Sequence, residues 1–120
     1  EVLLWEASGL RPSPREDKWY LSVGQSMGGA INIAVNKEAY ILSDRSTWLS
    51  FKNKKKHVIL VENQPLLYNY YGVIPISPKK CPDVKFEKAN IFIDWLISPE
   101  TMNLISSYKI EGQQLFFPTN

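Results

Sequence analysis

At 120 residues, with 44% hydrophobic and 22% charged residues, the chain is long enough for a small globular domain with a real core. A net charge of +2 is too small to argue for nucleic acid, and the basic residues are scattered apart from one run at 52–56. A lone cysteine, Cys81, excludes an internal disulfide and a thiolate metal cluster, and no apolar run approaches the length of a membrane span.

Residues 2–7 read as the last turns of a helix, with Gly9 as its stop. The chain opens on Glu1 and not on Met, so it looks processed or truncated, and the helix is expected to have begun upstream. For the same reason the missing signal peptide says little about compartment. Residues 11–18 carry Pro12, Pro14 and many charges, the composition of an exposed loop. Trp19-Tyr20-Leu21-Ser22-Val23 reads as a short strand. Gly24-Gln25-Ser26-Met27-Gly28-Gly29 then forms a glycine-flanked turn into a helix that runs to about Asn36. Ile31, Ala34 and Val35 share a buried stripe on it at helical spacing.

That turn is the main candidate site. Its small residues let backbone approach a ligand closely. The helix start behind it aims unpaired N–H groups and the positive end of the helix dipole at the same place. This is a way to hold a small anion without a lysine or a metal. The candidate ligands are Gln25, Ser26, Met27 and Gly28, through the amides of Ser26, Met27 and Gly28 and the Ser26 hydroxyl. The alternative is structural: Ser26 as a plain N-cap, with Gly28 and Gly29 letting the helix pack closely on a sheet. No Gly-Lys-Ser/Thr ending is present, so a nucleotide P-loop is not supported.

Residues 39–43 read as a buried parallel strand, and Ser43 or Asp44 caps a short helix through Thr47, Trp48 and Leu49. Ser43, Asp44 and Arg45 fall at the C-terminal end of that strand, where α/β proteins bind ligands. Arg45 can add charge there, or it forms a salt bridge with Asp44 or a neighbour. Tyr40 and Thr47 read as structural. Residues 52–56 read as a solvated turn, with His57 beside them on the surface.

Residues 58–61 are the next strand, and Pro65 breaks the segment after it. Residues 68–76 are extended, aromatic and then apolar, with Pro75 marking an edge or a strand end. Tyr68, Tyr70 and Tyr71 line a hinge or simply pack as aromatics. Residues 86–97 are the clearest helix, with Ala89, Ile93, Leu96 and Ile97 on one apolar face and Phe92 beside it. Ser98 and Pro99 restart the helix, and Met102, Leu104, Ile105 and Tyr108 continue the face. Leu115-Phe116-Phe117-Pro118 is expected to pack down. Strands alternating with helices give an α/β protein. The open helix at Glu1 suggests that part of the sheet lies elsewhere, so a fragment or a chain that pairs with another is expected.

The run Gly24-Gln25-Ser26-Met27-Gly28-Gly29-Ala30-Ile31-Asn32-Ile33-Ala34 is followed by Ala39-Tyr40-Ile41-Leu42-Ser43-Asp44-Arg45-Ser46-Thr47 and Tyr71-Gly72-Val73-Ile74. Phe92-Ile93-Asp94-Trp95-Leu96-Ile97-Ser98-Pro99-Glu100 comes next, and Leu115-Phe116-Phe117-Pro118 closes the series. In this order they resemble the C-terminal half of the tungstate-binding periplasmic component of bacterial ABC transporters, over nearly the whole chain. The resemblance implies a periplasmic-binding-protein-like fold of type II, two α/β lobes joined by crossing strands around a cleft. It places residues 1–61 in the second lobe, residues 62–71 at the hinge crossing, and residues 72–120 in the first lobe with its helix pair. The N-terminal part of the first lobe, its serine- and threonine-bearing anion loop, and an arginine-bearing segment just upstream of Glu1 are absent on this reading. A missing N-terminal half or a second chain is therefore an expected partner, beside an ABC transporter permease at the membrane.

The ligand implied is tungstate, with no cofactor and no resident metal. The place implied is periplasmic or extracytoplasmic, with a lipid anchor through the absent N-terminus left open. Molybdate, sulfate and phosphate stay open as ligands of the same fold. So does a role as the effector-binding domain of an oxyanion-responsive regulator. One histidine, one cysteine and no spaced carboxylate pair argue against an enzyme.

Overall fold

The computed structural model describes residues 1–119. The chain forms two compact units, Glu1–Asn69 and the residues from Tyr70 onward. In the first unit α1 spans Val2–Ala7. It ends where Ser8 Oγ donates to the Trp5 carbonyl at 2.7 Å and Gly9 turns left-handed at φ +75°. A side chain at Gly9 would strain that turn. Trp5 meets Trp19 and Tyr20 edge-on, with centroids 5.8 and 6.0 Å apart, so α1 is tied to the loop that follows it. The Tyr20 hydroxyl donates to Glu1 Oε1 at 3.0 Å, and this bond to a carboxylate holds the phenol proton on above the ordinary tyrosine value.

The core of the first unit comes from two helices, α2 (Met27–Lys37) and α3 (Arg45–Ser50), which pack on each other. Ile31, Ala34, Val35 and Leu49 are buried, and Ile31 and Val35 are wholly enclosed. The stripe expected at helical spacing is therefore the one observed. Each enclosed aliphatic side chain contributes roughly 2 kcal/mol by leaving water.

The segment after α3 is a turn with Lys52, Lys55 and Lys56 exposed, as expected, but its middle is anchored. Lys54 lies half-buried, its Nζ 5.4 Å from the Trp48 ring centre and 3.4 Å from the Leu49 carbonyl. Lys55 donates to Asn36 Oδ1 at 2.8 Å. His57 is not a surface residue as expected. It is half-buried, with Nε2 3.1 Å from the Ala39 carbonyl, and it ties the chain after α2 to the chain after α3.

In the second unit α4 (Phe86–Leu96) and α5 (Pro99–Ser107) pack as a pair. Ser98 makes the corner. Its Oγ donates to the Trp95 carbonyl at 2.7 Å and accepts the Thr101 amide at 3.3 Å, with Pro99 at the first helical position as anticipated. Thr101 is buried against this corner. The apolar face expected on α4 is only partly covered: Ala89, Ile93 and Leu96 are half-buried, while Phe92 and Ile97 stay exposed. A groove of about 680 Å³ runs between Val73, Ile74, Pro75 and Ile76 on one side and Phe86, Ala89, Phe92 and Ile93 of α4 on the other. Within the tail, Leu115 is buried and Phe116 meets Tyr71 edge-on at 5.9 Å, but Phe117 is exposed.

The four strands expected at 19–23, 39–43, 58–61 and 68–76 form no ladder among the described residues. A strand exists only by pairing, and these stretches find no neighbour in register. Most of their apolar side chains are exposed, Val58 68% and Ile74 86%, as is Tyr40, read as a sheet residue, while Tyr20, Val23, Ala39 and Ile41 are half-buried. The ladder that does form among the described residues is a hairpin, β1 (Lys109–Ile110) with β2 (Gln113–Gln114), pairing Lys109 with Gln114 and Ile110 with Gln113. Its two loop residues, Glu111 and Gly112, are both left-handed at φ +51° and +77°. That is the tight turn whose twist matches the strands it joins.

Candidate anion-binding site

The site begins at Gly24, which is left-handed at φ +59° and turns the chain toward α2. Gln25 and Ser26 come next, both exposed, and Ser26 is extended at φ −60°, ψ 163° as the residue before the helix. The first rung of the helix is the Ala30 amide on the Ser26 carbonyl at 2.8 Å. The amides of Met27, Gly28 and Gly29 precede that ladder and receive no capping side chain, so Ser26 holds the N-cap position without its hydroxyl closing on the helix. No acidic residue lies in the first turn, whereas Lys37 lies in the last. The start of α2 is thus a set of neutral donors with positive dipole character.

The two glycines differ. A Cβ on Gly29 would stand 3.1 Å from Gln25 Cβ, so Gln25 folds over that glycine and fixes its neighbourhood. A Cβ on Gly28 would meet nothing within 4 Å. No packing among the described residues demands a glycine at 28, where a side chain would enter open space, although the residue as a whole is half-buried.

Ser43, Asp44 and Arg45 gather at the start of α3, but they play unequal parts. Asp44 is the cap: Oδ1 accepts the Thr47 amide at 2.8 Å and the Ser46 hydroxyl at 2.6 Å. Partial burial pushes its pKa up, but these hydrogen bonds outweigh it and hold the carboxyl below the usual aspartate value. An ionised carboxylate accepts only, so Asp44 shapes the loop and offers nothing to an anion. The Ser43 hydroxyl donates to the Asp44 carbonyl at 3.0 Å. Arg45 Nη1 pairs with Glu62 Oε2 at 2.5 Å, with the two side chains 29% and 46% exposed. The partner is Glu62 and not Asp44. Seventeen residues separate the pair, and no local sequence signal links them.

Among the described residues, no group of three His, Cys, Asp or Glu side chains could hold a metal ion, and no helix is long and apolar enough to cross a membrane. The start of α2 offers hydrogen-bond donors without charge, and the start of α3 a guanidinium held by a carboxylate.

Residues 1–100 match a family model described as a PBP superfamily domain. The chain is 41% identical over 98% of its length to a Haloferax volcanii protein provisionally named an ABC transporter anion-binding protein, of which it spans 35%. It is 38% identical over 98% of its length to the tungstate-binding protein TupA of Peptoclostridium acidaminophilum, of which it spans 41%. The solved structure of a tungstate-binding protein, TupA, from Desulfovibrio alaskensis G20 superposes with a TM-score of 0.77 at 36% identity, over 98% of this chain and 48% of that one. The chain therefore spans less than half the length of each of these proteins. The likeness also shows a periplasmic-binding-protein-like fold, present here in part.

Proposed function

The chain belongs to the PBP superfamily, and on that premise we propose that it supplies one side of an interlobe site for tungstate in the solute-binding component of an ABC transporter. The observation that carries this reading is the agreement of two comparisons, by sequence and by structure, on proteins named for tungstate binding. The uncapped amides of Met27 and Gly28 give it a chemistry. Tungstate is a tetrahedral dianion that only accepts hydrogen bonds. Fixed neutral donors at a helix start suit it, because they need no counter-ion to rearrange.

In this reading Gln25, Ser26, Met27 and Gly28 face the anion, the Ser26 hydroxyl being the donor that its idle cap leaves for the ligand. Ser43 and Asp44 hold the neighbouring loop, and Arg45 brings positive charge. Residues 1–61 belong to the second lobe, 62–71 to the crossing and 72–120 to the first lobe. Closure follows the hinge mode of such receptors, and a membrane permease receives the ligand on the extracytoplasmic side. The donor set reads shape and charge, which molybdate shares with tungstate, so both are expected to bind. The Haloferax relative's broader anion-binding name favours a second reading, another oxyanion at the same donors.

Calorimetric titration of the full protein with tungstate, molybdate, sulfate and phosphate in one buffer tests this. Tungstate heat with silent sulfate and phosphate is the expected result. Heat from sulfate or phosphate alone moves the assignment to the second reading, and silence from all four removes both.

A further inference from the structure

We infer that the lysine run is a strap that positions α2 for anion binding: Lys54 grips the end of α3 while Lys55 and His57 grip the end of α2, so the helix that offers its start to the anion is held by its other end. This rests on the reading of the chain as part of an oxyanion receptor.

Residues 52–57 form a turn closed by two backbone bonds, the Lys54 amide on the Lys52 carbonyl at 3.0 Å and the His57 amide on the Lys54 carbonyl at 2.9 Å. Side chains of this one turn reach two different helices. Lys54 Nζ lies 3.4 Å from the Leu49 carbonyl, in the last turn of α3, and 5.4 Å from the Trp48 ring centre. Lys55 Nζ donates to Asn36 Oδ1 at 2.8 Å, in the last turn of α2. His57 Nε2 stands 3.1 Å from the Ala39 carbonyl, just past that helix. Asn36 is itself tied one turn back, its Nδ2 donating to the Asn32 carbonyl at 3.0 Å. Lys55 adopts left-handed backbone at φ +47°, which is unfavourable for a lysine and is held only where the surroundings fix it.

The last carbonyls of a helix lack partners within it, and cations near them offset the negative end of its dipole. A charge run that served only to keep the surface hydrated would leave these ends alone. The middle of α2 is fixed by Ile31 and Val35, both wholly enclosed. Tying its far end as well stops the helix from tilting about that pivot, and so sets where the Met27 and Gly28 amides stand. Donors held in place before the ligand arrives need no ordering on binding. Lys55 and Asn36 are thus positioning residues that act on the anion through α2.

The experiment combines tungstate calorimetry, at low and high salt, with hydrogen exchange on the full protein. Lys55→Met is expected to weaken tungstate binding by about twofold to fivefold, within the net worth of one hydrogen bond. Asn36→Ala should do the same, and the two together no more than either alone, because they break one contact. Lys55→Arg should restore the parent affinity. Lys56→Gln removes the same charge from the same turn without touching the strap. At about 1 M salt, where screening reaches within roughly 3 Å, Lys56→Gln should bind as the parent while Lys55→Met stays weak. Without anion, Lys55→Met should lose amide protection in α2. Equal weakening by Lys55→Met and Lys56→Gln overturns the strap in favour of net charge. A parent that binds tungstate, with Lys55→Met lower in melting temperature but unchanged in affinity, overturns the positioning role and leaves the receptor reading standing. A parent that binds no oxyanion overturns both.

Discussion

Gly28 and Gly29 are chain neighbours in one helical turn, yet they meet different surroundings. Gly29 carries Gln25 against it, while Gly28 faces open space. A glycine in a helix costs about 0.5–1 kcal/mol relative to alanine, so a free-standing glycine is unfavourable unless something uses its bare backbone. Replacing Gly28 with Leu is therefore expected to raise thermal stability slightly and to weaken tungstate binding at least tenfold, on the order of 1.4 kcal/mol or more. Melting and calorimetry on the same sample check it. Higher stability with unchanged affinity removes position 28 from the site.

Asp44 offers a second test at the residue scale. Removing its side chain with Asp44→Ala is expected to cost about 1 kcal/mol, the usual loss of a helix cap. The pH dependence comes from the sign of its shift. Hydrogen bonds from Ser46 and Thr47 lower the folded-state pKa despite partial burial, so the folded protein binds the Asp44 proton less readily than the unfolded chain does. That contribution to stability is full above the unfolded aspartate pKa of about 3.9 and is lost as pH falls through the lower folded value. Chemical denaturation at pH 6 and pH 3 should show a gap between wild type and Asp44→Asn that narrows at the acid end.

At the scale of elements, the readable parts of the sequence were those whose signals are local. The α2 stripe of Ile31, Ala34 and Val35, the Ser98–Pro99 corner and the cap at Asp44 each depend on residues within one or two turns, and each is where periodicity and capping rules put it. The hairpin at 109–114 carried its signal in Glu111-Gly112, a tight-turn pair that a search for long strands passes over. Strand pairing is not local, so composition alone could mark residues 58–61 and 68–76 as strand-like without telling whether a partner lies within reach. The Arg45–Glu62 pair was hidden for the same reason. In the candidate site, the glycine turn was legible because it is a continuous stretch, whereas the two readings of Ser26, N-cap side chain or free hydroxyl, could not be separated, because capping residues look alike whether or not they close. Gly112 gives the matching prediction. Its φ of +77° suits glycine, so Gly112→Val is expected to destabilise the second unit by about 1 kcal/mol or more, seen as earlier loss of its amide protection in hydrogen exchange.

At the scale of the whole molecule, the outstanding physical feature is uncovered strand-like backbone. Residues 58–61 and 70–76 are rich in Val, Ile, Leu and Tyr, carry no ladder among the described residues, and leave most of their apolar surface in water. Water satisfies their amides only so long as no other backbone is on offer. A second chain offers both hydrogen bonds and apolar contact, and it does so without asking any residue of the folded helices to move. The 120-residue chain by itself is therefore expected to self-associate and to bind tungstate weakly. Sedimentation velocity should show species heavier than 13.8 kDa that grow with concentration. Val58→Lys with Ile74→Lys places charge on each exposed stretch without touching the α2 core, so it should return the chain toward monomer while leaving helix content unchanged. If the double variant associates as strongly as the parent, the uncovered stretches are not the sticky surface. The apolar side of α4, where Phe92 and Trp95 are also exposed, is then the surface through which the chains meet.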